Sequence, residues 1–194
     1  MNLEELLIEF HISLNKEKDI FQIFDSGDTY VIDTFPEIIL DNEKYKQAEI
    51  FYQKVLDKEL KRSDFEAVEN QFINIVKTLW LYNDVDVKII CFDNIKKNYY
   101  YKKIRGIFRK DIKKITDVIN NEDELYRVED IKLLEKLCKL AIRDIAPVLF
   151  VFNSSKVLML LNDCHAQVIV SEKQSFESIH KIVFNNHLYI YQQT

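Results

Sequence analysis

Three neighbours, Asp163, Cys164 and His165, bring a carboxylate, a thiol and an imidazole together, the groups from which a nucleophilic site is built. A thiolate is activated by an imidazole across hydrogen-bond distance. Adjacent residues on a strand point to opposite faces, and catalytic Cys and His are ordinarily remote in sequence. The triplet therefore reads as a turn and not a dyad. The four histidines, His11, His165, His180 and His187, show neither His-x-x-x-His nor His-Glu-x-x-His spacing. His180 and His187 lie seven apart and could share a helix face, but two ligands do not make a metal site. The acid pairs Asp84/Asp86 and Glu129/Asp130 fall beside element ends, where they serve as caps and as charges opposite helix dipoles. Cys91, Cys138 and Cys164 contain no Cys-x-x-Cys pair, so neither a zinc ribbon nor a secreted disulfide framework is supported. Gly27 and Gly106 are the only glycines, too few for a Walker loop or a dinucleotide fingerprint, each of which needs several close together. No catalytic residue, metal or cofactor is expected, and the chain reads as a non-enzyme.

The basic segment 96–114 stands apart. It holds nine basic residues, Lys96, Lys97, Lys102, Lys103, Arg105, Arg109, Lys110, Lys113 and Lys114, against Asp111 alone. It thus carries +8, and the rest of a chain whose total is −5 carries −13. Ile104, Ile107, Phe108, Ile112 and Ile115 form a helical stripe, and most of the cations recur at a seven-residue interval on the other side. This is a basic amphipathic helix preceded by Tyr99, Tyr100 and Tyr101. Such a face binds a phosphate backbone, an anionic membrane or an acidic protein surface, or is simply solvated and paired with the acidic remainder. The overall pI near 5.5 argues against a dedicated nucleic-acid binder. No Trp or Leu stands beside the cluster to anchor it in a membrane. A protein partner is the first expectation: the basic helix would suit an acidic one, while the acidic remainder could mimic phosphate and cover a nuclease toxin, and the sequence does not choose between them; nucleic acid stacked on the tyrosines is the alternative.

The elements that position these residues follow from apolar spacing. Leu3, Leu6, Leu7 and Phe10 mark a helix over 2–14. Ile20–Phe24 and Tyr30–Phe35, split by Asp25-Ser26-Gly27-Asp28, predict a hairpin that Pro36 ends. Residues 43–60 predict one helix, and Ser63 with Glu66 a capping box that opens the next, carrying Phe65, Val68, Phe72, Val76 and Leu79. Val85–Phe92 reads as an interior strand and 120–130 as a loop; Ile131–Ile145 reads as a helix stopped by Pro147. Val148–Phe152, Val157–Leu161 and Ala166–Val170 predict an antiparallel meander, followed by a short helix over 175–183. The first two of these strands are apolar on both sides, which requires a sheet covered on both faces. With 194 residues, 47% hydrophobic and 30% charged, and no linker, the chain reads as one α+β domain over 1–194: an antiparallel sheet with a C-terminal meander packed with several helices. The start Met1-Asn2-Leu3-Glu4-Glu5 lacks the basic region of a signal peptide, and Ala146–Phe152 is too short to span a bilayer, so a cytoplasmic location without membrane contact is expected.

The C-terminal third resembles the end of a bacterial domain family of unknown function. That family repeats a helix, two apolar strands, a Tyr-Asp-Asp-Arg-Gly-x-Asp turn, a strand and a short helix. Here Ile131–Ile145 matches the helix and Val148–Phe152 and Val157–Leu161 the strands. The turn is Leu161-Asn162-Asp163-Cys164-His165-Ala166-Gln167. Asp163 keeps the family residue and Asn162 is a near match, while Cys164, His165 and Gln167 replace the family's Arg, Gly and Asp. Some members stand in toxin–immunity neighbourhoods. The resemblance implies a small acidic cytoplasmic protein that neutralises a partner, such as a cognate toxin, by binding it. With the charge asymmetry, it leads to the expectation of an immunity protein acting by stoichiometric inhibition through 96–114.

Overall fold

The structure, a computed structural model, describes residue 8, residue 10 and residues 20–25, 28–90 and 125–193. Among these, six helices and seven strands follow one another as α1 (Ile20–Phe24), β1 (Tyr30–Asp33), α2 (Asn42–Ala48), α3 (Tyr52–Leu56), α4 (Arg62–Trp80), β2 (Val85–Ile89), β3 (Tyr126–Arg127), α5 (Ile131–Ile142), β4 (Val148–Phe152), β5 (Val157–Asn162), β6 (His165–Val170), α6 (Lys173–Asn185) and β7 (Tyr189–Gln192). The strands form one sheet in the order β3-β2-β4-β5-β6-β1-β7, antiparallel at every step. The fold is α+β.

The C-terminal meander forms as expected, because short polar turns let consecutive apolar strands pair at low loop cost. Val148 faces Leu161 and Phe152 faces Val157, and Val157 in turn faces Val170. β4 is buried along its whole length because both faces of the sheet are covered. Phe150, Phe152, Met159 and Val168 pack under α4 and α5 with Phe72, Val76, Leu134 and Leu137. The alternate residues Leu149, Val151, Leu158, Leu160 and Ile169 pack on the other side with Phe10, Ile20, Ile23 and Phe24. β2 is interior, between β3 and β4.

Several expectations are corrected. Ile20–Phe24 is a helix and not a strand, an ambiguity inherent in short apolar runs. Tyr30–Asp33 pairs instead with β6 and β7. The helix expected over 43–60 is two, broken at Glu49–Phe51, where Glu49 and Phe51 are extended. The Lys54 ammonium donates across this break to the carbonyls of Lys46, Gln47 and Glu49, satisfying acceptors the helix end leaves open. No capping box forms at α4. Its N-cap is Lys61, Ser63 bonds Asp64, and Glu66 pairs with Arg62 at 2.7 Å. The predicted loop 120–130 contributes the short strand β3. α5 ends three residues early because Asp144 takes φ 50. His180 and His187 share no helix face, since α6 stops at Asn185 and His187 takes φ 59. The helix expected over 2–14 lies outside the described residues except for Ile8 and Phe10.

Candidate functional site

Tyr99, Tyr100, Tyr101, Lys102, Lys103, Arg105, Arg109, Lys110, Lys113 and Lys114 all lie outside the described residues. The two strands that this segment joins, β2 and β3, are adjacent and antiparallel at one edge of the sheet. Two other polar concavities lie within the described residues.

The first is an open groove of about 710 Å³ between the outer faces of α4 and α5. The apolar stripes of both helices face the sheet, so their charged stripes meet at the surface. Arg62, Lys132, Lys136, Lys139 and Arg143 line it against Glu66, Glu69 and Glu135. At its floor Arg143 holds the buried Glu69 by two bonds, Nε to Oε1 at 2.6 Å and Nη2 to Oε2 at 2.9 Å. The Arg143 guanidinium also sits 5.3 Å from the Tyr52 ring centre. Lys77 bonds Glu135 at 2.7 Å. The Arg62 guanidinium holds the exposed Glu66 carboxyl below its ordinary range.

The second is a cleft of about 330 Å³ on the β6-β1-β7 end of the sheet. β1 buries Ile32 with the helices on one face, so alternation turns Val31 and Asp33 to the other. Val31 faces Gln167 of β6 and Tyr191 of β7. Asp33 and His165 lie one residue beyond the Ile32–Ala166 pair. Asp33 Oδ1 accepts from Thr34 N–H at 2.5 Å, Thr34 Oγ1 at 3.1 Å and Phe35 N–H at 3.4 Å, and Oδ2 accepts from the Tyr191 hydroxyl at 3.2 Å. Gln167 Nε2 donates to Gln193 Oε1 at 3.1 Å. Ile38, Ile39, Asn42 and Tyr45, from the chain after Pro36 and from α2, complete the lining.

The field in this region is negative. Burial raises the Tyr45 hydroxyl pKa, reinforced by its hydrogen bond to Glu49 and by the charges of Asp33 and Asp163. Burial and then Asp33 do the same to Tyr191. Burial lowers the His165 pKa and outweighs the pull of Asp33 and Glu49, which favours the neutral ring. Asp163 opens the two-residue β5–β6 turn at φ 54. Its carboxyl is pushed up to about 7 by burial first, then by Asp144 and Glu49. The neighbouring Cys164 thiol is buried and its pKa raised, which leaves it without thiolate character. Asp163 and Cys164 form the turn, whereas His165, also expected there, already opens β6 opposite Asn162, and of the three only His165 reaches the cleft. Sequence reading missed Asp33, Tyr45, Gln167, Tyr191 and Gln193, which come from separate elements; Asp33 and Tyr191 are 158 residues apart. The one local signal was the alternation His165, Gln167, Ile169 on β6. Among the described residues no group of three or more His, Cys, Asp or Glu could hold a metal ion, and no helix is long and apolar enough to cross a membrane. Compared with known proteins, the chain matches no family model, no curated protein and no solved structure.

Proposed function

We propose that the chain is a protein-binding protein that acts by occupancy, of the immunity or toxin-neutralising kind, with a partner that presents an acidic surface. The observation that supports this reading is the groove between α4 and α5, where five cationic side chains face three anionic ones on two rigid helices. Long charged side chains held by packed helices give complementarity that accelerates encounter and selects partners. The basic segment 96–114 adds charge of the same sign. Co-expression with the product of the adjacent gene, followed by co-purification and a growth-rescue assay, tests it. The expected result is a stoichiometric complex that weakens with salt. Reversing Lys132, Lys136 and Lys139 to Glu should weaken it at least tenfold, about 1.4 kcal/mol. No complex and no rescue would end the immunity reading; rescue that survives the reversal would remove only the groove as the interface.

A second reading, nucleic-acid binding, rests on the +8 charge of 96–114 beside Tyr99, Tyr100 and Tyr101. Retention on heparin and salt-sensitive shifts of single-stranded nucleic acid would favour it, and their absence at low salt would dismiss it.

A further inference from the structure

Among the described residues three carboxylates are buried: Glu69 at 2% exposure, Asp86 at 6% and Asp33 at 8%. Two have a guanidinium partner. Arg143 grips Glu69 at 2.6 and 2.9 Å, and Arg127 grips Asp86 at 2.6 and 3.2 Å. Asp33 differs. Its four donors are two backbone N–H groups and the hydroxyls of Thr34 and Tyr191, all neutral. Among the described residues no lysine or arginine pairs with it, and none lines the cleft it faces. A buried anion without a counter-charge is costly, and here the counter-charge has room to arrive from outside.

We propose that the cleft bordered by Asp33, His165 and Tyr191 binds a small organic cation, an alkylammonium or alkylguanidinium group. Each part of the lining suits one part of such a ligand. Asp33 Oδ2 accepts one hydrogen bond only, from Tyr191, and so retains a lone pair for a charged N–H donor. The ring of His165 makes no hydrogen bond among the described residues and offers an acceptor nitrogen. The Tyr45 and Tyr191 rings carry the negative faces that attract cations. The amide oxygens of Asn42 and Gln167 can take further N–H groups, and Val31, Ile38 and Ile39 suit an alkyl stem. Glu49 and Asp163 deepen the negative potential without lining the cleft. At about 330 Å³ the cleft sits at the small end of ligand pockets, roughly 300–1,000 Å³, and matches a ligand the size of a side chain. An anion is repelled by this field. A neutral ligand would leave Asp33 uncompensated. The inference is independent of the groove between α4 and α5.

The cation can come from a free amine or from the Lys or Arg side chain of another protein, and the probes separate the two. Calorimetry and amide chemical-shift mapping on the full chain would use n-butylammonium, butylguanidinium, the blocked tripeptides Ala-Lys-Ala and Ala-Arg-Ala, and n-butanol and butyrate as controls. Saturable binding of at least one cation is expected, with shifts centred on Asp33, His165 and Tyr191 and no binding of butanol or butyrate. Free amines binding better than tripeptides would identify a small-molecule site, and the converse a site for a protein side chain. Asp33→Asn should weaken binding at least tenfold. Because that change falls at a buried position, Asn42→Lys at the exposed rim is the second variant; its ammonium should compete for Asp33 and weaken binding while leaving the fold intact by circular dichroism. Failure of every cation to bind, equal binding of butanol, or cation binding indifferent to both substitutions would overturn the proposal.

Discussion

Asp163 holds a φ of 54 and a buried Oδ1 that accepts no hydrogen bond among the described residues. Its carboxyl is pushed up to about 7 by burial, by Asp144 and by Glu49. In the unfolded chain the same group titrates near ~4. Between these values the folded state keeps a proton that the unfolded state has lost, so this residue's contribution to stability falls as pH rises through that window and is flat above it. Asp163→Asn removes the titration, and Asn tolerates positive φ as readily as Asp. The variant should therefore gain stability over the parent progressively from pH 4 to pH 7, to a plateau on the order of 1–3 kcal/mol. Urea denaturation at pH 4.5, 6 and 8 measures the difference, and a gain independent of pH would show that the carboxyl titrates normally. The turn containing Asp163 was legible in the sequence because it depends on local alternation. The ionisation of the carboxyl was not, because it is set first by burial and then by Asp144 and Glu49, all of which only the fold supplies.

At the scale of elements, α4 and α5 are joined on their polar sides by one buried contact, Glu69 with Arg143, 74 residues apart in sequence. Replacing Arg143 by Met leaves Glu69 buried without a cation, and the loss should be on the order of 3–5 kcal/mol. Adding Glu69→Gln should restore most of it, because a neutral amide tolerates the site without a counter-ion. Guanidinium denaturation of the single and double variants gives the cycle, and a double variant no better than the single would place the cost in lost packing against Tyr52. The start of α5 depends on Asp130, whose side chain accepts from Lys132 N–H at 2.9 Å. Asp130→Ala should cost about 1 kcal/mol, read as a small fall in midpoint with unchanged slope. Both helices were legible from Phe65, Val68, Phe72 and Val76 and from Leu134 and Cys138, since a core-facing stripe has the helix period. The break at Glu49–Phe51 was not, because Lys54 closes it with hydrogen bonds that leave no trace in apolar spacing.

At the scale of the whole molecule, the sheet is completed by strands from opposite ends of the chain. β1 is inserted between β6 and β7, with Ile32 facing Ala166 on one side and Ile190 on the other. The meander was legible because its partners are sequence neighbours. This insertion was not, since nothing near Tyr30–Asp33 specifies pairing with residues more than a hundred positions away. The cleft is a product of the same insertion, as Asp33, His165 and Tyr191 come from the three strands it brings together. The arrangement also bears on cooperativity. β7 forms one edge of the sheet, and β3 lies at the other. The chain's one tryptophan, Trp80, bonds the Val128 carbonyl at 3.0 Å just after β3. If the sheet and its helices unfold as a unit, Trp80 fluorescence and far-UV circular dichroism should follow a single denaturant transition with coincident midpoints. Deleting residues 188–194 removes the buried Leu188, β7 and the Tyr191 bond to Asp33. That truncation should shift the Trp80 transition downward together with the circular dichroism, although the tryptophan lies toward the opposite edge. Two separated transitions in the full chain, or a Trp80 midpoint unmoved by the truncation, would instead divide the molecule into independently stable parts.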